Sequence, residues 1–108
     1  MNYKSKSAFY KFLLNHPEIM NNQVTVEGNS MYPMLVHGQK VKIDNNKNNI
    51  NIGDIILYRY YSNHLTIHRI VGIIIKNEKV YYQTKGDNNE HPDDYLISKE
   101  DIIGKLIW

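Results

Sequence analysis

The feature that most constrains the fold is a pair of strand-like runs separated by a short polar turn. The runs are LTIHRIVGIII at 65–75 and KVYYQTKGD at 79–87. Both are rich in β-branched and aromatic residues, and the KNEK stretch between them has the composition of a turn. Because side chains alternate along a strand, Thr66, His68 and Ile70 are predicted to share one face. The pattern therefore predicts a β-hairpin that carries a histidine among apolar neighbours.

Further strand-like runs make the whole chain mainly β. They are QVTVEG, KVKID, DIILYRYY and the C-terminal DIIGKLIW. A polar loop at 44–54 separates the second of these from the third. At 108 residues the chain is long enough for one modest core. We expect a single domain over 1–108, in which a helical segment at 1–23 precedes a β domain at 24–108.

Composition and charge exclude several classes of function. The formal net charge is +2 and the basic residues are scattered, which argues against a nucleic-acid partner. The chain has no cysteine, so neither disulfides nor a thiolate nucleophile are expected. No apolar run approaches the roughly 20 residues of a membrane span, and no secretory signal pattern begins the chain. We therefore expect a soluble, cytoplasmic protein.

The N-terminal segment is predicted to form one short amphipathic helix. Phe9, Phe12 and Leu13 would share one of its faces, and Pro17 would end or bend it. This apolar face either packs on the domain or docks on a partner or a membrane surface, and the sequence leaves both interpretations open.

A possible nucleophile lies in the stretch VEGNSMYPML at 26–35. Gly28 and Asn29 tolerate left-handed backbone, and Pro33 disfavours helix at the residue before it. The stretch is thus predicted to end a strand in a tight turn that presents the hydroxyl of Ser30. A serine hydroxyl reacts near neutral pH only beside a base, and otherwise serves to hydrogen-bond its own turn.

A base and its orienting acid are available elsewhere in the chain. His68 lies within a predicted strand, and imidazole is the side chain that accepts a proton near neutral pH. The run TKGDNNEHPDD at 84–94 holds three acids, Asp87, Asp93 and Asp94. A carboxylate there can hold an imidazole in one tautomer and stabilise the imidazolium. The alternatives are an ordinary sheet histidine and an ordinary polar turn.

Metal binding is a weaker interpretation of the same residues. His64 and His68 would lie about 13 Å apart on a strand, too far to share one ion. The run at 87–94 lacks the alternating ligands and distal glutamate of an EF-hand calcium loop. We expect no metal and no cofactor.

Taken together and in order, these stretches resemble the type I signal peptidases. The similarity rests on GNSMYPML, GDIILYRY, TIHRIVG, TKGDNN with the following PDD, and IIGKLIW, and it extends from about residue 24 to 108. It is closest to the archaeal, endoplasmic-reticulum and sporulation-type branch, in which histidine stands where bacterial enzymes keep a lysine base. The resemblance implies the coiled β fold that signal peptidases share with self-cleaving repressor peptidases of the SOS and phage type.

The resemblance also implies roles for individual residues. Ser30 would be the nucleophile and His68 the general base. Asp87 and Asp93 match the family's acidic positions, and either would orient the histidine. Asp94 is an alternative acid, because a one-residue shift in the loop would exchange it with Asp93.

The nucleophile turn carries the remaining implied site residues. Gly28, Asn29, Met31 and Pro33 would shape the turn and contact substrate, and the backbone N–H of Ser30 would stabilise the oxyanion. The family commonly has a serine where this chain has Gly28, so a second oxyanion donor would have to come from elsewhere.

The implied function is that of a serine endopeptidase that cleaves a leader or signal segment from a precursor peptide. Signal peptidases usually carry a membrane anchor, whereas for this chain we expect only the short N-terminal helix, so recruitment by a membrane partner through that helix is a further expectation. Two alternatives remain. One is a catalytically inactive peptide-binding or scaffold module. The other is a self-cleaving regulator, although the repressor peptidases use lysine as base and carry a DNA-binding domain.

Overall fold

The computed structural model describes residues 22–61 and 64–107. Its seven strands, numbered in chain order, are β1 (Gln23–Thr25), β2 (Lys40–Asp44), β3 (Ile55–Tyr60), β4 (His64–Lys76), β5 (Lys79–Lys85), β6 (Leu96–Ser98) and β7 (Ile102–Ile107). One 3-10 turn, Lys99–Asp101, joins the last two strands. The prediction of a mainly-β fold is confirmed, whereas the predicted N-terminal helix lies outside the described residues. Within these two ranges, no helix has the length and hydropathy that a membrane span requires.

All seven strands belong to one antiparallel sheet with the order β1-β2-β7-β3-β4-β5-β6. The C-terminal strand β7 inserts between β2 and β3, so it joins the N-terminal strand pair to the long β3–β4–β5 meander. This insertion makes β3 and β7 interior strands, which explains why both are almost wholly apolar.

The predicted hairpin is confirmed as the pair β4–β5. Its turn is made by Asn77 and Glu78, whose φ angles of 52° and 65° are both left-handed, as the twist of a two-residue hairpin requires. The register pairs Arg69 with Lys85 and Ile70 with Thr84 before a bulge shifts it. Thr84, on β5, therefore lies close to His68 on the neighbouring strand β4.

Strand β3 is buried on both faces, and each face contributes to a different core cluster. Ile55 and Leu57 pack into the cluster that includes Met31. Ile56 and Tyr58 pack into the other, on the opposite side of the sheet. His68 pairs directly with Ile56, so it lies on the Tyr58 side, as the alternation along β4 predicts.

Candidate functional site

The turn after β1 presents Ser30 at its apex. Gly28 adopts a φ of 80°, which a residue with a side chain rarely takes, and its N–H donates to Nδ1 of His37 at 2.9 Å. The N–H of Tyr32 then donates to the carbonyl of Asn29 at 3.1 Å, closing the turn around the serine. The Tyr32–Pro33 peptide bond that follows is cis. The turn predicted from this stretch is therefore present.

A second loop, residues 86–89, fastens this turn from the other side. The N–H of Asn88 donates to the carbonyl of Ser30 at 2.8 Å, and its side-chain amide donates to the carbonyl of Asn29 at 3.1 Å. The side chain of Met31 is 2% exposed, and its sulfur accepts the N–H of Asp87 at 3.4 Å. Two contacts thus fix the backbone of the serine turn, and the third holds the side chain of the residue that follows the serine.

Gly86 allows the two loops to lie this close together. A Cβ at position 86 would lie 2.8 Å from the carbonyl oxygen of Ser30 and 2.6 Å from the side-chain nitrogen of Asn89. Real Cβ atoms do not approach backbone oxygens so closely. The glycine in TKGDNN is therefore required by the packing against the serine turn.

Ser30, His68 and Asp93 form a continuous hydrogen-bonded chain. Nε2 of His68 lies 3.1 Å from Oγ of Ser30, and Nδ1 of the same ring lies 2.7 Å from Oδ2 of Asp93. The side chains of His68 and Asp93 are only 10% and 11% exposed. Since a carboxylate can only accept, Nδ1 carries a proton towards Asp93, and in the neutral imidazole this leaves the Nε2 lone pair facing the serine hydroxyl.

Asp93 is held in place by β5 and β3. The hydroxyl of Thr84 donates to Oδ2 of Asp93 at 2.7 Å, and the carbonyl of Thr84 accepts the N–H of Asp93 at 2.8 Å. The hydroxyl of Tyr58 lies 3.3 Å from the same Oδ2 and 2.8 Å from the hydroxyl of Tyr95. The carboxylate therefore has several donors around one oxygen.

The other two candidate acids lie elsewhere. Asp87 accepts two hydrogen bonds from Arg69, at 2.9 and 2.8 Å, and a third guanidinium nitrogen donates to the carbonyl of Gly53 at 2.8 Å. These hydrogen bonds lower the pKa of Asp87 and raise that of Arg69. Asp94 is exposed at the surface. Of the three acids, Asp93 is the one whose carboxylate contacts His68, and Asp87 instead anchors its own loop.

The hydrogen-bonded chain opens into a cleft of about 1000 Å³. Two extended segments, 24–28 and 64–68, line it together with Ser30 and His68. β1 is the edge strand of the described sheet, and β5 pairs with β4 only from residue 69 onward. Both segments therefore keep backbone hydrogen-bonding groups available towards the cleft.

The sequence interpretation missed several residues of the site. Tyr58, Thr84 and Asn88 lie in the strand-like and acidic runs of the sequence, but the sequence alone assigns none of them a role. A signal existed for one of them, because a tyrosine in the otherwise apolar run IILY brings a hydroxyl that needs a buried partner. The described part of the chain holds no cluster of three or more His, Cys, Asp or Glu side chains suited to a metal ion.

Comparison with known proteins identifies the family. The model of the Peptidase S24-like family matches residues 11–107. The signal peptidase complex catalytic subunit SEC11 of Candida tropicalis is 34% identical over 92 residues, which cover 77% of this chain and 55% of that protein. The SEC11 subunit of Ogataea parapolymorpha is 30% identical over 121 aligned residues, covering 93% of this chain and 69% of that protein.

The SEC11 subunit of Candida albicans shows the same relationship, with 31% identity over 92 residues that cover 77% of this chain and 55% of that protein. The chain thus spans little more than half the length of the Candida proteins. The family match nevertheless extends over nearly all of it, including the serine turn, the histidine strand and the acidic loop. The chain belongs to the Peptidase S24-like family and is a type I signal peptidase-like member of it.

Proposed function

We propose that this chain is a serine endopeptidase in which Ser30 is the nucleophile, His68 the general base and Asp93 the acid that orients it. The observation that carries the proposal is the continuous chain of contacts, 3.1 Å from Ser30 Oγ to His68 Nε2 and 2.7 Å from His68 Nδ1 to Asp93 Oδ2. Both distances lie within the reach that proton transfer and orientation require.

The proposed reaction proceeds in two halves. Oγ of Ser30 attacks the scissile carbonyl carbon while its proton passes to Nε2 of His68. The tetrahedral intermediate collapses, the C–N bond breaks, and the leaving amine takes the proton from His68. Water then attacks the acyl-serine ester by the same route, which releases the second product and restores the hydroxyl.

The backbone supports an oxyanion site at the turn. The N–H of Ser30 is the proposed donor, and Asn88 of the loop at 86–89 holds the peptide unit that carries it, through the hydrogen bond from its side-chain amide to the Asn29 carbonyl. Gly28 has no side chain to contribute, and its own N–H donates to His37. Asn29, Met31 and Pro33 would act by fixing the turn rather than by chemistry.

The proposed substrate is a leader or signal segment bound in an extended conformation. The cleft between 24–28 and 64–68 offers two strand edges to a peptide backbone, which is the geometry of strand addition. The names of the SEC11 relatives, catalytic subunits of a signal peptidase complex, support this substrate class. Recruitment of the chain to a membrane by a partner is the companion proposal.

Cleavage of a peptide library and of precursor peptides, followed by mass spectrometry, tests the proposal. We expect cuts with the wild-type protein and none with Ser30→Ala or His68→Ala. Ser98→Ala and His91→Ala are matched controls, because the hydroxyl of Ser98 donates a hydrogen bond to Asp101 and His91 is exposed. Both controls should cleave like wild type.

The alternatives have their own signatures in the same experiment. If wild type binds peptides but cleaves none, either with or without added membranes, the protein is a binding module and the peptidase proposal fails. A loss of mass from the incubated protein itself would instead indicate a self-cleaving regulator. Cleavage only in the presence of membranes would support recruitment by a membrane partner.

A further inference from the structure

A network of buried hydroxyl groups surrounds the acid of the proposed catalytic chain. Tyr58 and Thr84 are both 0% exposed, one on β3 and the other on β5, and their hydroxyls lie 3.3 Å apart. A buried hydroxyl without a hydrogen-bond partner destabilises the fold. The partner that such a hydroxyl contacts therefore indicates its function. Both hydroxyls approach Oδ2 of Asp93, at 3.3 and 2.7 Å.

Thr84 holds Asp93 at two points. Its hydroxyl donates to the carboxylate, and its carbonyl accepts the N–H of the same residue. These two bonds fix both the backbone and the side chain of a residue that lies in a loop. A loop carboxylate without them would be free to rotate away from His68.

The protons of the network can be assigned. Asp93 as a carboxylate only accepts, so Thr84 and His68 Nδ1 each donate to it. Burial raises the pKa of the Tyr58 phenol, which therefore stays protonated and donates. Tyr95 is only partly buried, and its hydroxyl lies 2.8 Å from that of Tyr58. In the arrangement consistent with these assignments, the hydroxyl of Tyr95 donates to that of Tyr58, and the hydroxyl of Tyr58 donates to Asp93.

We propose that Thr84 and Tyr58 are positioning residues that hold Oδ2 of Asp93 against Nδ1 of His68. The proposal rests on the function proposed above for Ser30, His68 and Asp93. By keeping the Nδ1 proton directed at Asp93, the two hydroxyls keep the Nε2 lone pair directed at Ser30. Neither residue lines the cleft, so their effect on the rate passes through the orientation of His68.

The orientation of His68 can be measured without any cleavage. In protein with ¹⁵N-labelled histidine, NMR should show His68 in the Nδ1–H tautomer, with a low-field proton that exchanges slowly with solvent. We expect Thr84→Val and Tyr58→Phe each to speed that exchange roughly three- to tenfold, the factor that one ordinary hydrogen bond represents. Thr84→Ser keeps the hydroxyl and should preserve the wild-type signal.

The same variants are then compared in cleavage. Thr84→Val and Tyr58→Phe should lower kcat roughly three- to tenfold with KM unchanged, and Thr84→Ser should restore kcat. Tyr82→Phe is the matched control, because Tyr82 is another buried tyrosine of the same core cluster and is not part of the network. It should leave both the NMR signal and kcat at their wild-type values.

The two proposals fail in different ways. If Thr84→Val and Tyr58→Phe both keep the wild-type His68 signal and kcat, the positioning proposal is overturned while the peptidase stands. If the His68 signal changes as expected but wild type cleaves nothing, positioning is upheld and the peptidase proposal fails. Because Tyr58→Phe and Thr84→Val are separate variants, loss of folding in one leaves the other to decide.

Discussion

Arg69 and Asp87 form a two-point ion pair in which separate guanidinium nitrogens donate to the two carboxylate oxygens, at 2.9 and 2.8 Å. Arg69 directly follows His68 on β4, so the two side chains leave the strand on opposite faces. The pair therefore anchors the loop at 86–89 beside the serine turn without competing for the imidazole. This separation leaves Asp93 as the acid beside His68.

Asp87→Asn should destabilise the protein in a pH-dependent way. The hydrogen bonds from Arg69 lower the pKa of Asp87 below its ordinary value of 3.8, and both side chains are about three-quarters buried. A carboxyl group with a lowered pKa stabilises the fold above its unfolded pKa, and this contribution is lost as the pH falls through the folded pKa. We expect a loss of about 1–3 kcal/mol in the free energy of unfolding at pH 7.

Denaturant unfolding of wild type and Asp87→Asn at a series of pH values measures this contribution. The difference between the two proteins should shrink as the pH falls from 5 to below the ordinary value of 3.8. Asp94→Asn, which changes an exposed aspartate, should match wild type throughout. A difference that stays constant down to the acid limit would show that the charge of Asp87 is not what stabilises the loop.

Asp93→Asn should lower kcat about 10²- to 10⁴-fold, because an amide can present a donor to Nδ1 and so favour the wrong tautomer of His68. KM should change little, since Asp93 lies behind the histidine rather than among the residues that line the cleft. Steady-state cleavage of a peptide substrate provides both constants. Asp94→Asn is the neighbouring control and should stay near wild type, and a reversed order of the two variants would assign the acid to Asp94.

Gly86→Ala should displace the serine turn, because the loop at 86–89 packs directly against it. The added Cβ would lie 2.8 Å from the Ser30 carbonyl oxygen, and overpacking of this kind typically costs about 1–3 kcal/mol. We expect a lower free energy of unfolding together with a lower kcat, measured by denaturant unfolding and peptide cleavage.

Gly72→Ala is the control for that substitution, because its new Cβ would meet the flexible end of Gln83, with the nearest atom at 3.2 Å. It should be milder in both measurements. Equal loss of kcat in the two variants would mean that Gly86 has no special relation to the serine turn.

The local pattern of side chains is sufficient to predict the strands in which apolar and polar residues alternate clearly. The β4–β5 hairpin and the face shared by His68 and Ile70 follow from the period of the side chains. The sequence does not predict β6, because Leu96–Ser98 is a three-residue strand within a polar loop and is too short to show any periodicity. The insertion of β7 between β2 and β3 depends on long-range pairing, which adjacent residues do not encode.

The candidate site was predictable in its residue types but not in all its pairings. The local settings of Ser30 and His68 single out these two residues, and the structure brings them together. Asp87 and Asp93 have the same side chain in the same loop, so only the three-dimensional course of that loop separates them. The pairing partners differ: Arg69 donates to the carboxylate of Asp87, whereas the carboxylate of Asp93 contacts His68.

In the proposed mechanism, Oγ of Ser30 attacks a peptide carbonyl with His68 as its base. The most direct measurement is the acyl group itself, obtained by mixing the protein with an activated peptide ester, quenching in acid and locating the added mass by peptide mapping. We predict that it lies on Ser30, is absent from Ser30→Ala and forms at least about 100-fold more slowly in His68→Ala. An acyl group on a different residue, or equal acylation in His68→Ala, would overturn this mechanism.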